Sequence, residues 1–403
     1  MSGSIAVSAS KGLTAAAASP RTIGGRTRAM SVAIYLHDLS GGGVERQSLI
    51  IAEEFRRHGV DVTLVVHQLR GELLDQVPAG LRVIDLASSR TLQDVPRLAG
   101  FLRREEPDIL VSNVDLNNVA ALLAKGVAFS STKIVICQHN PMSAGYLRSE
   151  NWLYRYVGLS YKLLGPLIDR AVAVSSGVAE ELIDLASVPR DRVFTINNPV
   201  VGPDFQERCD EDIGHPWFNQ PNRPVFVTAG RMVAQKDHEA MLHALAIHRR
   251  TMDSRLIILG TGPLRDHLGS VAERLGLTEA VDFAGFHPNT LPFFRQADAF
   301  LLSSRAEGFG NVVVEAMGCG TPVISTRCEH GPKEILEHGR YGVLVEPRNP
   351  EALAVAMNGV ATMRERFPAE LLRQRANEFS YAACASRYMA LFKSLVPNRA
   401  WVA

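Results

Sequence analysis

At 403 residues the chain is too long for one ordinary hydrophobic core, and two domains of similar size are expected. Hydrophobic residues make up 46%, charged residues 21% and the formal net charge is +1, the balance of a soluble globular protein. Such neutrality provides no global field for gripping DNA or RNA, so any basic contact with a ligand has to be local.

Residues 1–29 are rich in Ala, Ser and Gly and contain no acid. A transit peptide has this look, but no clear apolar core of a secretion signal is present. The plainer reading is a disordered leader, or a gene start placed too early, because Met30 directly precedes the first strand-like run. From there short β-branched runs alternate with longer amphipathic ones. "VAIYL" (32–36), "DVTLVV" (61–66), "RVIDL" (82–86), "DILVS" (108–112), "KIVIC" (133–137) and "AVAVS" (171–175) read as buried parallel strands. The segments between them, such as "VERQSLIIAEEFRRHG" (44–59), have apolar residues at helical spacing and end in glycine. This alternation predicts a doubly wound α/β domain over 30–198.

Residues 199–222, with prolines, acids and no sustained period, read as a linker. A second series follows over 223–380: "PVFVTAG" (224–230), "RLIILG" (255–260), "AVDFAG" (280–285), "AFLLSS" (299–304) and "PVIST" (322–326). Helices are predicted at roughly 349–365 and 381–395, and the segment 381–403 is expected to pack back on the first domain. The ligand site is expected in the cleft between the two domains, where carboxyl ends of strands meet. The five cysteines, Cys137, Cys209, Cys319, Cys328 and Cys384, form no C-x-x-C pair and are odd in number. They suggest reduced thiols in a cytosolic protein rather than disulfides or a zinc site. No apolar run reaches about 18 residues, which excludes a spanning helix.

Four motifs fall at the expected cleft. "GGG" (41–43) joins the first strand to the first helix, where a backbone can approach an anionic ligand; Gly42 and Gly43 are the candidate contacts. A dinucleotide fingerprint would need a glycine where Arg46 stands, and "GTGPLR" (260–265) fails likewise at Arg265, so a nicotinamide enzyme is disfavoured. The second loop reads better as a tight turn. In "GRMVAQKDHEAML" (230–242), Arg231 and Lys236 flank the end of a strand and can clamp a diphosphate. "CQHN" (137–140) sets His139 at the lip of the same cleft. "EGFGNVVVE" (307–315) carries two glutamates, and neither Glu307 nor Glu315 has an obvious basic neighbour in sequence, so a ligand is a candidate partner. "DED" (210–212) has the spacing of a metal-holding aspartate pair but lies in the acidic linker, away from any glycine-rich loop, and reads as solvated surface.

Together these residues resemble the retaining glycosyltransferases of family 4, glycosyl transferases group 1, over nearly all of the chain from Met30 onward. "EGFGNVVVE" is similar to their E-x7-E signature, and the "GR…K" pair, the first glycine loop and a histidine after a first-domain strand occur with it. "AVSSGVAEELI" followed by "VFTINNPV" also resembles the end of their first domain. The resemblance implies a GT-B fold: two doubly wound Rossmann-like domains facing a central cleft, the first on the acceptor side, the second binding the donor. It implies that Glu307 meets the donor sugar, that Gly308, Phe309, Gly310 and Asn311 offer backbone N–H groups to sugar and phosphate, and that Glu315 takes the ribose hydroxyls. Arg231 and Lys236 would neutralise the leaving diphosphate without a metal, and His139 would contact or orient the sugar.

"CEHGPKEILEHGRYGVLVE" (328–346), with Gly331, Pro332 and Glu334, resembles the variant of members that build bacterial polysaccharides and lipid-linked glycans; read alone, it is a turn capping a helix. The implied donor is a nucleotide diphosphate sugar, UDP-linked rather than GDP-linked, carrying a hexose or N-acetylhexosamine, with no cofactor and a glycan or lipid-linked acceptor. The aromatic and basic stretch 146–171 fits either a helix covering the sheet or peripheral contact with the cytoplasmic face of an inner membrane. A sugar-nucleotide epimerase, and a silent binding protein that keeps the fold, are the alternatives.

Overall fold

A computed structural model describes residues 29–143, 156–220, 223–397 and 399. The predicted leader lies outside them except for Ala29, as do positions 144–155 of the aromatic and basic stretch. Two parallel sheets carry the fold. The first is β1 (Ser31–Leu36), β2 (Asp61–Val66), β3 (Arg82–Asp85), β4 (Ile109–Asn113), β5 (Lys133–Gln138), β6 (Arg170–Ala173) and β7 (Val193–Thr195), in spatial order β3-β2-β1-β4-β5-β6-β7. The second is β8 (Val225–Ala229), β9 (Arg255–Leu259), β10 (Val281–Gly285), β11 (Ala299–Leu302), β12 (Val323–Thr326) and β13 (Val343–Val345), ordered β10-β9-β8-β11-β12-β13. The first strand of each sheet in chain order, β1 and β8, is central and buried at every residue, as expected when helices cover both faces.

The order reverses between β1 and β4 and between β8 and β11. In doubly wound sheets a crevice opens at such a reversal, outside the carboxyl ends of the strands. The loops that follow these strands carry the glycine run, the Arg231–Lys236 pair and Glu307, so strand order alone collects motifs spread over nearly 270 residues.

The domains are tied to each other. Ser175 Oγ donates to the Gly308 carbonyl at 2.7 Å, and Asn198 Nδ2 to Asn311 Oδ1 at 2.9 Å. Glu334 receives the Ser176 N–H and Oγ at 2.7 and 2.6 Å on one oxygen and Asn197 Nδ2 at 3.0 Å on the other. His330 Nε2 lies 3.0 Å from Glu181 Oε1. The "GPKE" segment is thus both the start of a short helix, Pro332–Ile335, and an interdomain clasp. Gly331 has φ +60, and a Cβ there would stand 1.9 Å from the Phe309 carbonyl oxygen.

The final helix, Tyr381–Leu395, is capped by Ser380 and returns to the first domain, where Tyr388 and Phe392 pack edge-on against Phe55 of the helix Gly43–Arg57. The region predicted as one helix over 349–365 breaks at Gly359 into Pro350–Asn358 and Val360–Arg366, and a further helix, Ala369–Asn377, follows. Glycine is a poor helix former and admits the break. Strands β7 and β13, three residues each, are too short for an alternation to register. The linker is docked rather than free: its helix Phe205–Cys209 presses Phe205 against Gly318, and Gln206 Nε2 donates to the Gly318 carbonyl at 3.0 Å. There Cys209 Sγ and Cys319 Sγ are 3.1 Å apart, both as free thiols. In the "DED" run Asp210 pairs with Arg295 at 3.1 Å, and Asp212 Oδ1 accepts the Gly214 N–H.

Candidate active site

The loop after β8 and the loop after β11 are stapled together. Ser303 Oγ donates to the Lys236 carbonyl, the Arg305 N–H to the Gln235 carbonyl, and Gln235 Nε2 to the Ala306 carbonyl, each at 2.8 Å. The Arg305 guanidinium grips Asp237 with two bonds of 2.8 Å, the strong fork geometry of arginine and carboxylate. This frame brings Lys236 Nζ to 2.6 Å from Glu307 Oε1, which Ser304 Oγ also meets at 2.5 Å. Glu307 is 7% exposed, so its carboxylate has the buried cationic partner that sequence proximity did not reveal. Arg231, in the same loop after β8, is exposed.

The glycines of "GTGPLR" serve close packing. Gly260 has φ +121, and a Cβ there would meet the Gly230 carbonyl oxygen at 2.3 Å; one at Gly262 would meet the Met232 backbone at 2.5 Å. The loop buttresses the turn that carries Arg231.

Gly310 adopts φ +99 and opens the helix Asn311–Gly318, whose N-terminus has no side-chain cap. One turn further in, Glu315 lines a cavity of about 310 Å³ together with Gly42, Gly43, Asn311 and two arginines. Burial raises the Glu315 pKa, and the charges of Arg208, Arg46 and Lys236 oppose that rise, in decreasing order. Arg208 belongs to the linker helix and Arg46 to the first turns of Gly43–Arg57. Neither was identified from sequence as a site residue: Arg46 was noted only as the wrong residue for a dinucleotide fingerprint, and Arg208 lay in the presumed linker. The "GGG" run followed three residues later by a base was the available signal for Arg46. Tyr381, at the start of the final helix, closes the same cavity.

His139 stands at the end of β5, with Nε2 2.9 Å from Asn113 Oδ1 and Nδ1 buried without a partner. Burial holds its pKa down at about 4, so the ring is neutral near pH 7. The His139 carbonyl lies against Gly308; a Cβ at Gly308 would come within 1.9 Å of it, and only glycine allows the two domains to meet there. The structure pairs Glu307 with Lys236, gathers Glu315, Asn311 and the first glycine loop around one cavity, and sets His139 against Gly308 where the domains meet; Arg231 follows β8 with its side chain exposed, and the Phe309 ring is buried against Phe379.

Comparison with known proteins agrees with this architecture. The family profile described as "Glycosyltransferase Family 4" matches residues 41–201, and that of "Glycosyl transferases group 1" matches 223–362. The lipopolysaccharide core biosynthesis glycosyltransferase LpsE of Rhizobium meliloti is 28% identical over 370 residues, covering 89% of this chain and 98% of its own. A Campylobacter jejuni N-acetylgalactosaminyltransferase acting on a diphospho-undecaprenol substrate is 28% identical over 249 residues, 62% of this chain and 64% of its own. Among solved structures, Anabaena HepE in complex with UDP and glucose superposes with a TM-score of 0.73 at 20% identity, over 91% of this chain and 100% of its own. A glycosyltransferase from Rickettsia africae gives 0.75 at 19%, over 92% and 99%. The chain belongs to the group 1, family 4 glycosyltransferases, and it is an enzyme of the GT-B fold.

Proposed function

We propose that the protein is a retaining, metal-independent transferase that moves a hexose or N-acetylhexosamine from a nucleotide diphosphate sugar to a glycan or lipid-linked acceptor in cell-surface polysaccharide synthesis. The observation that carries this reading is the Lys236–Glu307 pair of 2.6 Å, on loops of the second domain, with Gly308 of the same loop packed on the carbonyl of neutral His139 from the first. Arg231 and Lys236 neutralise the departing diphosphate, the main electrostatic demand of the transition state. Glu307 accepts hydrogen bonds from sugar hydroxyls and stabilises positive charge developing at the anomeric carbon, while Glu315 takes the ribose diol. Gly42, Gly43 and the backbone of Gly308, Phe309, Gly310 and Asn311 approach the phosphates and sugar. His139 supplies a neutral hydrogen-bonding group to the sugar. With the nucleophilic face left to the acceptor, displacement on the same face as departure, assisted by the leaving phosphate, accounts for retention.

A UDP-sugar is favoured by the likeness to HepE, solved with UDP, over the GDP-mannose used by a mannosyltransferase of Mycolicibacterium smegmatis that is 33% identical over 165 residues, 38% of this chain. The relatives named for lipopolysaccharide core and diphospho-undecaprenol substrates support a glycan or lipid-linked acceptor.

Among the described residues no helix is long and apolar enough to cross a membrane. The helix Val157–Leu164 presents Leu159 and Leu163, 52% and 72% exposed, beside exposed Lys162, and Phe129, which follows the neighbouring helix Asp115–Ala128, is 94% exposed. That surface supports peripheral contact with the cytoplasmic membrane face. Flotation with anionic vesicles tests it: Leu163→Glu with Phe129→Glu should abolish binding.

The reading is tested with UDP-glucose, UDP-galactose, UDP-N-acetylglucosamine and GDP-mannose, each with a deacylated lipopolysaccharide core oligosaccharide or an undecaprenyl-diphosphate-linked N-acetylhexosamine. Transfer with retained anomeric configuration, unaffected by EDTA, is the expected result. An isomerised donor, binding without turnover, or strict dependence on a divalent metal would refute the reading in its respective part.

A further inference from the structure

Glu307 is held by one oxygen only. Its Oε1 takes both hydrogen bonds that the chain gives the carboxylate, one from the Lys236 ammonium at 2.6 Å and one from Ser304 Oγ at 2.5 Å. Among the described residues nothing bonds Oε2, and Oε2 is not one of the buried unpaired polar atoms. It therefore keeps accessible surface, although Glu307 as a whole is 7% exposed. A carboxylate has lone pairs on both oxygens, and burial normally fills them. Here the chain clamps one oxygen and leaves the other open to a ligand.

The two clamping groups are not equivalent. Lys236, with 19% of its side chain exposed, is a compact charge on a flexible stem that a diphosphate also attracts. Ser304 is fully buried and meets no ligand. It follows β11, and its carbonyl accepts from Thr326 Oγ1 at 2.6 Å, the last residue of the neighbouring strand β12. The Ser304 hydroxyl thus hangs from backbone that the sheet fixes, and its place does not depend on what binds in the cleft. The runs "AFLLSS" and "PVIST", which read from sequence only as strands, end in hydroxyls that reach the site.

We propose that Ser304 is a positioning residue for sugar transfer: it keeps Glu307 Oε1 engaged when the donor's diphosphate draws Lys236 away, so that Oε2 stays presented to the donor sugar. Thr326 supports it by fixing the Ser304 carbonyl. A hydroxyl suits this task because it is neutral: it holds the carboxylate without adding a charge that would compete for the phosphates. Without it the terminal torsion of Glu307, which has only a broad preference, lets the carboxylate turn after its lysine. This assignment rests on the functional reading above and adds to it the group that preserves the orientation of Glu307 in the donor complex.

The test uses the full chain and the donor and acceptor that the wild type turns over fastest in the panel above. Ser304→Ala should lower kcat about tenfold or more, as expected for losing a hydrogen bond to a charged group, with donor KM and UDP affinity within about twofold of wild type. Ser304→Thr, which keeps the hydroxyl, should recover most of that loss. In a Glu307→Gln background the same Ser304→Ala change should cost no more than about twofold further, because it acts through the carboxylate. Wild-type kcat in Ser304→Ala overturns the proposal. So does a loss carried by donor KM, or an equally large loss in the Glu307→Gln background. Should Ser304→Ala melt early, Thr326→Val decides, since it leaves the Ser304 hydroxyl in place: a lowered kcat at unchanged donor KM supports the proposal, and an unchanged kcat overturns it. A wild type that turns over no donor refutes the functional reading itself, a result distinct from any failure of these variants.

Discussion

The Lys236 ammonium donates to Glu307 Oε1 at 2.6 Å, joining residues 71 positions apart. One group belongs to the base pair that clamps phosphate, the other to the signature that meets the sugar. In the free enzyme each satisfies the other, so a bound diphosphate has to share Lys236 with Glu307.

Glu307→Gln should therefore uncouple binding from turnover. The freed Lys236 gives its full charge to the diphosphate, and UDP affinity, measured by calorimetry, should rise severalfold and up to about tenfold. Transfer in the same variant should fall by about 10²–10³, the usual loss when one preorganised stabilising group leaves an active site. Lys236→Ala behaves differently, because it strands a buried carboxylate; it should lower stability by about 3–5 kcal/mol.

Glu315 carries an unfavourable burial that a ribose diol would relieve. Glu315→Gln should raise the melting temperature of the ligand-free enzyme at pH 7, since the neutral amide escapes the desolvation that raises the Glu315 pKa. UDP binding should weaken about tenfold or more in the same protein. A variant that lost both stability and binding would contradict the assignment of Glu315 to the nucleotide.

Domain closure should depend on Glu334. Its two oxygens take three hydrogen bonds from Ser176 and Asn197 across the cleft. Glu334→Ala should leave both sheets intact in circular dichroism yet increase the radius of gyration in X-ray scattering and raise donor KM. Restoration of wild-type compactness by saturating UDP would show that ligand and clasp act on one closure equilibrium.

Acid should destabilise the enzyme in a specific window. His139 and His238 are both pushed down to about 4 by burial, against 6.5 for a free imidazole. For a lowered histidine the unfolded chain binds more protons between these limits, so stability is complete above about pH 6.5 and is lost as pH falls toward 4, by up to about 3 kcal/mol per histidine. Asp115, raised to about 6, acts with the opposite sign between 3.8 and 6, so the variants rather than the wild-type curve isolate the effect. Urea unfolding at pH 7 and pH 5 should show a smaller pH difference for His238→Gln than for wild type.

Much was legible from residues in order. Repeated apolar runs with intervening helical periods determined two parallel sheets, because a strand buried on both faces must be apolar along most of its length, and β1 and β8 are, apart from Ser31 and Thr228. Glycine runs, a strand-end histidine and the spaced glutamates marked the cleft, since close backbone approach requires residues without side chains. Three-residue strands and the break at Gly359 escaped, being shorter than the period that would reveal them. What only the tertiary structure decided are the pairings: Lys236 with Glu307, Arg46 and Arg208 around Glu315, Glu334 with Ser176, and Asp115 with Gln138 but with no cation beside it. Each joins residues from different loops, or from different domains, or depends on the absence of a neighbour. Such relations follow from strand order and domain docking, which local periodicity does not encode; the physical content of the site lies in which buried charges find partners.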